Sequence, residues 1–191
     1  MEYRVERAED FARVKQIYKT RLTRDFIRAE RKPLSAIHRL WEKGAYGAYF
    51  LMGGDETLGY AFFVRSGRNC LFDYFAIAEG HRDEGLGTIF LRMLAECFPG
   101  TDCILGEVED PERAATDEER QLRERRVEFY RRSGYRITDV KATVFGVEFR
   151  LVEVPVGREH SDEELREIYT ELYRLIFPPL IFRTQVRVGE K

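Results

Sequence analysis

The sequence predicts an α/β (α+β) protein in which helices cover both faces of a central mixed β-sheet of about six to seven strands. The segment Leu71–Ile77 is almost continuously apolar and aromatic, which is typical of a central strand buried on both faces. An amphipathic helix follows it, and Cys103–Glu109 then predicts another strand. A connection of this length favours a right-handed crossover between two parallel strands. Hairpin patterns before and after this unit make the predicted sheet mixed.

The N-terminal part of the chain predicts one strand and two helices. A short strand at Tyr3–Val5 precedes Asp10–Leu22, where apolar residues recur at near-helical intervals and predict an amphipathic helix. Pro33 suits the first turn of a second helix, whose apolar side chains share one face and which ends at Gly44. The intervening segment Thr23–Lys32 carries many charges and favours neither a helix nor a strand.

Two segments predict antiparallel hairpins. Ala45–Met52 and Thr57–Val64 are rich in aromatic residues and are separated by Gly-Gly-Asp-Glu, which is a strong turn sequence. The sequence Ser-Gly-Arg-Asn then turns the chain into Leu71–Ile77. Further along the chain, Lys141–Val154 is interrupted at Gly146 and predicts a terminal hairpin.

Two capping boxes mark the starts of the last two predicted helices. The Thr116 hydroxyl is placed to accept a hydrogen bond from the third helical amide, and the Glu119 side chain is placed to accept one from the backbone amide of the N-cap residue. A helix is therefore expected over Asp117–Arg132. Most of its charged residues are expected to form a solvated face with ion pairs. Ser161 opens the second helix, which a Pro-Pro pair ends and whose apolar side comprises Leu165, Ile168, Tyr169, Leu172 and Leu175.

Length and charge exclude several classes of protein. At 191 residues, without a Gly-, Ser- or Pro-rich linker, the chain predicts a single domain with a sizeable core. The formal net charge is -2 and the pI is about 6.0, so the chain lacks the overall basic field of nucleic-acid-binding proteins. The N-terminus does not resemble a signal peptide, and no apolar segment approaches the roughly twenty residues that cross a bilayer. We therefore expect a cytoplasmic protein without nucleic-acid or membrane partners.

The cysteines and histidines predict neither a disulfide nor a metal site. Cys70, Cys97 and Cys103 are odd in number, lie in apolar segments and lack Cys-x-x-Cys spacing, which favours buried thiols. The three histidines are isolated from one another in the sequence. Because no set of zinc ligands is visible, no metal is expected.

The glycines after the central strand stand at a predicted helix N-terminus. Ala78–Glu84 is polar and precedes Gly85-Leu86-Gly87. From Leu86 onward, apolar residues recur with helical spacing. Unpaired backbone amides and the positive end of the helix dipole collect at such a terminus, and glycines let a phosphate approach them closely. This segment therefore predicts an anion site.

Two motifs, in this order, resemble those of the GNAT family of N-acetyltransferases. Arg82–Gly87 matches the pattern Arg/Gln-x-x-Gly-x-Gly/Ala between a strand and a helix, and Phe129-Tyr130 with Gly134-Tyr135 resembles the end of the family's late helix. The resemblance implies a GNAT acetyltransferase domain at residues 1–154, with a parallel strand pair at the cofactor cleft. Residues 155–191 lie outside the family core and are expected to form an extension with a helix, which packs on the same domain or contributes to a homodimer.

The resemblance implies that acetyl-CoA is the cosubstrate. Its pyrophosphate would lie on the amides that begin the helix, and its pantetheine arm would lie between the two parallel strands, with hydrogen bonds to the backbone of Phe75 and Ile77. The residues implied in binding are Phe75, Ala76, Ile77, Arg82, Asp83, Glu84, Gly85, Leu86, Gly87, Thr88 and Tyr130.

Acyl transfer to an amine needs a proton acceptor for the amine and a proton donor for the departing thiolate. The resemblance implies that Tyr130 is this donor; without the motif, a core tyrosine packed beside Phe129 is the commoner role. The candidate proton acceptors are carboxylates on the two parallel strands. Glu109 ranks first and Asp73 second, while Glu107 faces the same side of its strand as Glu109. The alternatives are that Asp73 is a hydrogen-bonded structural carboxylate and that Glu107 and Glu109 are a pair at the strand end that faces water.

The late helix departs from the family pattern at two positions. Arg123 and Arg126 stand where many relatives carry Asn and Ala, so a coenzyme contact is lost or is replaced by an arginine–phosphate ion pair. His81 lies near the predicted anion site, where an exposed loop histidine is the simpler interpretation. An acidic edge at which a cationic acceptor could dock comprises Glu107, Glu109, Asp110, Glu112 and Asp117–Glu119.

The sequence therefore predicts an acetyl-CoA-dependent N-acetyltransferase that transfers the acetyl group directly to a primary amine in a ternary complex. The fold does not identify the acceptor, which is a small molecule, a lysine side chain or an N-terminus. The alternative is a non-catalytic acyl-CoA-binding sensor or interaction module. A nucleotide-binding role is disfavoured, because the chain has neither a Gly-x-x-x-x-Gly-Lys-Ser/Thr loop nor a dinucleotide fingerprint.

Overall fold

The computed structural model describes residues 2–28, 30–154, 156 and 158–189. The chain divides into two compact units. The first comprises the described residues up to Arg65 together with Asp73–Cys97, and the second comprises Ser66–Phe72 with the described residues from Phe98 onward. The expected boundary between residues 154 and 155 falls beside Pro155, which lies outside the described residues. Among the described helices, none has the length and apolar character needed to cross a bilayer.

The described residues form eight strands: β1 (Tyr3–Arg7), β2 (Tyr46–Gly53), β3 (Glu56–Ser66), β4 (Asn69–Ile77), β5 (Cys103–Glu109), β6 (Arg136–Val144), β7 (Val147–Val154) and β8 (Val186–Val188). They make one mixed sheet in the order β1-β2-β3-β4-β5-β7-β6-β8. β4 and β5 are parallel and pair from Asn69 with Cys103 to Leu71 with Leu105. The predicted mixed sheet and its parallel pair are therefore confirmed, with one strand more than expected.

Seven α-helical segments lie between or after the strands: α1 (Phe11–Ile17), α2 (Thr23–Asp25), α3 (Leu34–Glu42), α4 (Leu86–Glu96), α5 (Asp117–Arg132), α6 (Asp162–Ile176) and α7 (Pro179–Gln185), counted over the described residues. A π-helical segment at Tyr18–Leu22 joins α1 to α2. Short 3-10 turns lie at Glu79–His81 and Pro111–Arg113. The α4 and α5 helices, which carry the two motifs, lie where the sequence predicts them.

In the first unit, β1, β2 and β3 are antiparallel neighbours with an aromatic core. The β2–β3 hairpin turns at Gly54, whose φ of +61° lies in the left-handed region that favours glycine. Phe50, Tyr60 and Phe62 are at most 1 % exposed. Helix α3 packs its apolar face on β2, and burial of this face fixes the position of the helix.

In the second unit, β5 pairs with β7, the β6–β7 hairpin continues the sheet and β8 adds to β6. Helix α5 contacts β5 and β6, while α6 contacts β6 and β8. Ser161 and Glu164 form the expected capping box of α6, since each side chain accepts the backbone amide of the other. The buried face of α6 includes Tyr173 and Ile176, whereas Ile168 and Leu175 are only partly buried.

Three element boundaries differ from the expectation. The π-helical segment interrupts the predicted first helix, and Pro33 precedes the helix, with ψ 138°, so that α3 begins at Leu34. β6 begins at Arg136 rather than Lys141, because an irregularity between Ile137 and Lys141 breaks its alternating pattern. β8 is a three-residue strand, which is too short to produce a sequence signal.

Candidate active site

In the first unit, β4 leads through a short turn into α4, where the first motif lies. Gly85 precedes the helix with φ +79°, in the left-handed region, and among the described residues no heavy atom other than those of its neighbours in the chain lies within 4 Å of a Cβ built at this position. As a glycine, Gly85 has no side chain that could cap α4. The first amides of the helix therefore meet an exposed turn, which is the geometry of an anion site.

Arg82 is tied to the protein by two hydrogen bonds. Its Nε donates to the Ile77 carbonyl at 3.3 Å, and its Nη2 donates to Asp25 Oδ1 at 2.7 Å. Asp25 also accepts a 2.9 Å hydrogen bond from the Tyr60 hydroxyl, so α2 orients the arginine through a shared carboxylate. About half of the Arg82 side chain, 49 %, remains exposed and accessible to an anion.

His81 lies between two glutamates beside this turn. Its Nδ1 is 3.2 Å from Glu84 Oε2, and its Nε2 is 3.5 Å from Glu56 Oε1. The hydrogen bond with Glu84 is the main cause that raises the pKa of His81. Asp83, another acidic residue of the turn, has φ +65°. Protonated His81 would offset part of the negative charge near the anion site.

Asp73 of β4 belongs to another polar cluster of the first unit. Its side chain is 1 % exposed; Oδ1 is ion-paired with Lys32, and Oδ2 accepts a hydrogen bond from the Tyr46 hydroxyl. Lys32 also lies 5.6 Å from the centroid of the Tyr74 ring. Burial raises the pKa of Tyr46, so this hydroxyl keeps its proton and remains a donor. Both oxygens of Asp73 are thus engaged by the protein.

The end of β4 carries the predicted contacts Phe75, Ala76 and Ile77. The Phe75 ring stacks on Phe90 of α4 at a centroid distance of 5.5 Å, which fixes the strand end against the helix. A Cβ on Gly59 of β3 would lie 2.8 Å from Ile77 Cδ1 and 3.1 Å from the Ala76 carbonyl oxygen. A larger residue would therefore displace the Ile77 side chain and crowd the Ala76 carbonyl, so glycine suits this close approach of β3 to the end of β4.

In the second unit, the end of α5 explains the spacing of the second motif. Gly134 has φ +88° and reverses the chain, and the Tyr135 amide donates to the Tyr130 carbonyl at 3.0 Å. Tyr135 is 6 % exposed, and its ring centroid lies 5.4 Å from that of Tyr130. The glycine is thus required for the turn, and the aromatic residue after it packs against Tyr130.

Tyr130 is partly exposed, and its hydroxyl makes no hydrogen bond with the described residues. Its ring packs edge-on against Phe129, with 5.3 Å between the centroids. Desolvation is the main cause that raises the pKa of Tyr130 to about 12, while Arg126 acts to lower it and Glu107 to raise it. The hydroxyl is therefore protonated at neutral pH and can donate a hydrogen bond.

Glu109 of β5 is held by two arginines of α5. Arg126 forms an ion pair with Oε2, and Arg123 Nη2 lies 3.4 Å from Oε1. Arg123 is 8 % exposed and also donates to the Asp110 carbonyl at 2.9 Å and to Glu119 at 2.6 Å. The two arginines that depart from the family pattern thus bind carboxylate and carbonyl oxygens of their own unit.

Glu107 lies two residues earlier on β5 and has different neighbours. Its Oε1 accepts hydrogen bonds from the Tyr169 hydroxyl and, at 2.5 Å, from the Tyr173 hydroxyl, both on α6. The two tyrosine rings are 4.4 Å apart between centroids. Burial and the charge of Glu107 raise the pKa of Tyr169, so its hydroxyl stays protonated. Two hydroxyls of α6 thus donate to one oxygen of Glu107.

The acidic edge expected along β5 and the start of α5 is compensated by basic residues. Asp110 is fully buried and lies 2.8 Å from Lys141, which is also 2.6 Å from Glu112. Although burial acts in the opposite direction, the hydrogen bond from Lys141 and further favourable contacts hold the pKa of Asp110 below its usual value. This edge is consequently not a simple negative surface for a cationic acceptor.

Cys103, Glu153 and His160 come together in the second unit, although Cys103 and His160 are isolated in the sequence. One candidate ligand atom of each lies within 4.8 Å of the others, and all three residues are buried. Glu153 Oε1 is 2.6 Å from His160 Nδ1, and Oε2 accepts a 2.6 Å hydrogen bond from Arg136. Burial raises the pKa of Cys103 to about 12. Glu153 thus bridges His160 and Arg136 inside the second unit.

Four partners of the candidate site residues are not evident from the sequence. Asp25 and Lys32, which bind Arg82 and Asp73, lie in the segment that has no apolar periodicity. Tyr169 and Tyr173 are four residues apart on an apolar helix face, and this spacing is also typical of packing. Only the structure distinguishes these hydroxyls as partners of a carboxylate.

The sequence matches no model of a protein family, and a search of curated proteins gave no match. Comparison with solved structures, in contrast, identifies proteins of one fold. A Bacteroides thetaiotaomicron protein described as a GNAT-family acetyltransferase has a TM-score of 0.73 and 17 % identity, over 93 % of this chain and 98 % of its own.

Two further structures of lower similarity share this fold. For the ribosomal-protein-S18-alanine N-acetyltransferase of Escherichia coli the TM-score is 0.57 at 10 % identity, over 84 % of this chain and 97 % of its own. For a GNAT-family acetyltransferase of Elizabethkingia anophelis with acetyl-CoA bound, the TM-score is 0.55 at 12 % identity, over 80 % and 97 %. The chain therefore has the fold of the GNAT acetyltransferases.

Proposed function

We propose that the protein is an N-acetyltransferase that moves an acetyl group from acetyl-CoA to a primary amine. The main supporting observation is the exposed start of α4, where Gly85 follows the Arg82 turn in a left-handed conformation and has no side chain in the path of a ligand. A helix N-terminus of this kind stabilises phosphate through its backbone amides and its dipole. A structure of the same fold, from Elizabethkingia anophelis, holds acetyl-CoA.

We infer that backbone amides, rather than side-chain charges, provide most of the phosphate affinity. Arg82 already pairs with Asp25, and carboxylates of the turn oppose an anion. At Gly85 the backbone at the start of α4 is open to the approach of a phosphate. The proposed contacts to acetyl-CoA remain Phe75, Ala76, Ile77, Arg82, Asp83, Glu84, Gly85, Leu86, Gly87, Thr88 and Tyr130.

Tyr130 is suited to assist the departing sulfur. In direct transfer the amine nitrogen forms a bond to the acetyl carbon, the carbon–sulfur bond breaks and the thiolate leaves with the electron pair. The Tyr130 pKa of about 12 exceeds that of a thiol, about 8.5, so full proton transfer is unfavourable by roughly three to four orders of magnitude. Tyr130 therefore acts chiefly as a hydrogen-bond donor to the developing thiolate.

Transfer without an acetylated enzyme is favoured by the state of two of the three cysteines. Burial raises the pKa of Cys97 and raises that of Cys103 to about 12. A protonated, desolvated thiol is a poor nucleophile. We therefore propose that acetyl-CoA and the amine bind together and react in a ternary complex.

Glu109 and Asp73 stay our first and second predictions for the proton acceptor. Glu109 is held by Arg126 and Arg123, and Asp73 is paired with Lys32. These contacts occupy the oxygens that would otherwise meet an ammonium group. Either carboxylate would have to exchange a protein partner for the substrate before it accepted a proton.

The same ion pairs favour a second candidate function, a non-catalytic acyl-CoA-binding module. Such a module would keep the anion site of α4 while its carboxylates contribute only to stability. Release of free thiol from acetyl-CoA distinguishes the two functions, because a binding module releases none. Suitable acceptors are putrescine, a lysine-containing peptide and a peptide with a free N-terminus.

Replacement of Gly85 by aspartate tests the anion site. Gly85→Asp places a side chain at a left-handed position and adds negative charge where a phosphate would approach, so acetyl-CoA affinity should fall by at least about tenfold. Titration calorimetry measures this change. Gly44→Asp is the matched control, because Gly44 has φ +67° and similar open space at its Cβ position, but follows α3.

The comparison of the two variants separates backbone strain from loss of the site. Both should lose some thermal stability, while only Gly85→Asp should lose acetyl-CoA affinity. Unchanged affinity in folded Gly85→Asp, or an equal loss in both variants, would refute the placement of the phosphate at α4.

A further inference from the structure

We propose that Cys103, Glu153 and His160 form a zinc site in the second unit, which binds Zn²⁺ through one thiolate, one carboxylate oxygen and one imidazole nitrogen. The sequence does not reveal this site, because Cys103 is 50 residues from Glu153 and His160 follows Glu153 by seven. The site lies outside the two motifs, and zinc binding does not depend on the proposed acetyl transfer.

The register of the strands brings the three side chains together. Glu153 of β7 lies opposite Leu105 of β5, so its side chain is on the same face of the sheet as that of Cys103, two residues before Leu105. His160 follows β7 and precedes α6. Glu153 Oε1 is 2.6 Å from His160 Nδ1 and 4.0 Å from Cys103 Sγ. Ligand atoms of a tetrahedral zinc site are roughly 3.5 Å apart, so a small movement of the His160 ring would admit the ion.

The types of donor atom favour zinc over the hard cations. Thiolate sulfur and imidazole nitrogen are typical ligands of Zn²⁺, whereas Mg²⁺ and Ca²⁺ prefer oxygen. Cys103 and Glu153 are 0 % exposed and His160 is 3 % exposed, so little solvent competes for these groups. Three protein ligands leave the fourth position of a tetrahedral ion to a water molecule. Zinc bound here would join β5, β7 and the segment that leads into α6.

His160 has a buried nitrogen that supports this site. When the ring is neutral, the contact with Glu153 places the ring proton on Nδ1, and Nε2 is then an acceptor. Nε2 has no hydrogen-bond partner among the described residues and lies 3.8 Å from Asp102 Oδ2, which is also an acceptor. Zinc on Nδ1 would move the ring proton to Nε2, which would then face the Asp102 carboxylate. Metal-bound histidines commonly direct their outer N–H at a carboxylate in this way.

Arg136 orients Glu153 without occupying the proposed ligand oxygen. Its Nε and Nη2 both donate to Oε2, at 2.8 and 2.6 Å, whereas Oε1 faces His160. Hydrogen bonds to the second oxygen are typical of carboxylates that bind a metal. On zinc binding the Cys103 thiol would release its proton to solvent. The thiolate, Glu153 and Asp102 would then offset the positive charges of zinc and Arg136.

Metal binding to the full chain tests the proposal. The purified protein is dialysed against a chelator and titrated with Zn²⁺, and the metal that remains bound after gel filtration is measured by atomic spectroscopy. We expect one Zn²⁺ per chain and a melting temperature that rises with Zn²⁺ concentration. Co²⁺ in place of Zn²⁺ should give a thiolate-to-cobalt charge-transfer band, which carboxylate and imidazole ligands at the protein surface do not produce.

Three variants assign the ligands. Cys103→Ser should abolish the cobalt band and weaken zinc binding more than about a hundredfold. Asp102→Asn should keep the band and weaken zinc binding roughly ten- to a hundredfold, because Asp102 only orients His160. Cys70→Ser is the matched control, since Cys70 is another buried strand cysteine of the second unit, and it should keep both the band and the affinity.

A parent chain that binds no Zn²⁺ at micromolar concentrations would overturn the site, and protonation of His160 would then account for its two carboxylate neighbours. Zinc binding without a cobalt charge-transfer band, or with the parent affinity in folded Cys103→Ser, would also overturn it, because the metal would then be adventitious. If Cys103→Ser does not fold, the parent cobalt band and Asp102→Asn decide, since the Asp102 side chain is 43 % exposed and tolerates the change.

Discussion

At the scale of single residues, the candidate site contains carboxylates that the protein already engages and one hydroxyl that it does not. Glu109 and Asp73 are ion-paired, whereas the Tyr130 hydroxyl makes no hydrogen bond with the described residues. Desolvation raises its pKa to about 12 and so keeps its proton in place. A protonated hydroxyl that is partly shielded from solvent interacts strongly with negative charge that develops during a reaction.

Tyr130→Phe should separate catalysis from packing. The variant keeps the ring contacts with Phe129 and Tyr135, so the free energy of unfolding should change by no more than about 1 kcal/mol. Turnover should fall roughly ten- to a thousandfold, because the departing thiolate loses its hydrogen-bond donor. Denaturant unfolding and steady-state kinetics measure the two effects, and acetyl-CoA affinity should barely change.

Tyr135→Phe is the control for this variant, since it removes a hydroxyl from the neighbouring buried ring and should leave turnover intact. Because the pKa of Tyr130 is about 12, the parent enzyme should show no basic limb from this residue at neutral or mildly alkaline pH. If Tyr130→Phe works at the parent rate while chemistry is rate-limiting, Tyr130 is a packing residue.

Residues whose roles depend on local spacing could be predicted from the sequence, and residues whose roles depend on distant partners could not. Gly85 and Gly134 mark turns that need a positive φ, and such turns leave a local signal. Lys32 and Asp73, in contrast, are separated by 41 residues, and Asp25 and Arg82 by 57. No periodicity or motif connects residues so far apart.

At the scale of elements, the helix starts were the most predictable features. Thr116 and Ser161 accept the amides of Glu119 and Glu164, as the two capping boxes predict. The Glu119 carboxylate accepts a hydrogen bond from the Ala115 amide at 2.7 Å. The buried face of α6 was predicted less well, because Tyr173 and Ile176 take the places expected for Ile168 and Leu175. A helix face is set by the surface it packs on, which the sequence of the helix does not contain.

The capping box of α6 makes stability depend on pH. The hydrogen bond from Arg158 is the largest of the effects that lower the pKa of Glu164 from 4.5 to about 2. A carboxyl group with a lowered folded-state pKa adds stability above its unfolded pKa and loses it as the pH falls through the folded pKa. Glu164→Gln should therefore lower the free energy of unfolding at neutral pH and flatten its decrease between pH 4.5 and about 2.

Urea unfolding at a series of pH values measures this effect. Glu163→Gln is the matched control, because Glu163 lies in the same helical turn and makes no hydrogen bond or ion pair with the described residues. It should leave the acid sensitivity unchanged. An identical pH profile for Glu164→Gln and the parent protein would show that the cap does not contribute.

At the scale of the whole molecule, the order of strands and helices was largely predictable. Alternating and helical periodicities are local signals, and the crossover rule then makes β4 and β5 parallel, as the structure confirms. The division into two compact units was not predictable, because it depends on contacts between segments that are distant in the sequence. The same reason applies to β8, which lies near the end of the described chain but pairs with β6, an element that precedes α6 and α7.

The C-terminal segment contributes to the second unit through α6 and β8. Helix α6 contacts β6 and β8, and its tyrosines reach Glu107 on β5. An extension outside the recognised motifs can thus supply groups to a carboxylate beside Tyr130.

The most direct test of acetyl transfer follows the acetyl group itself. Acetyl-CoA labelled in the acetyl group is mixed with excess protein and an acceptor amine, and the label is measured on the coenzyme, the protein and the amine during a single turnover. The proposed function predicts that label appears on the amine in step with released thiol and never accumulates on the protein. Label that stays on bound acetyl-CoA with every amine would contradict acetyl transfer, and label that accumulates on the protein would contradict direct transfer.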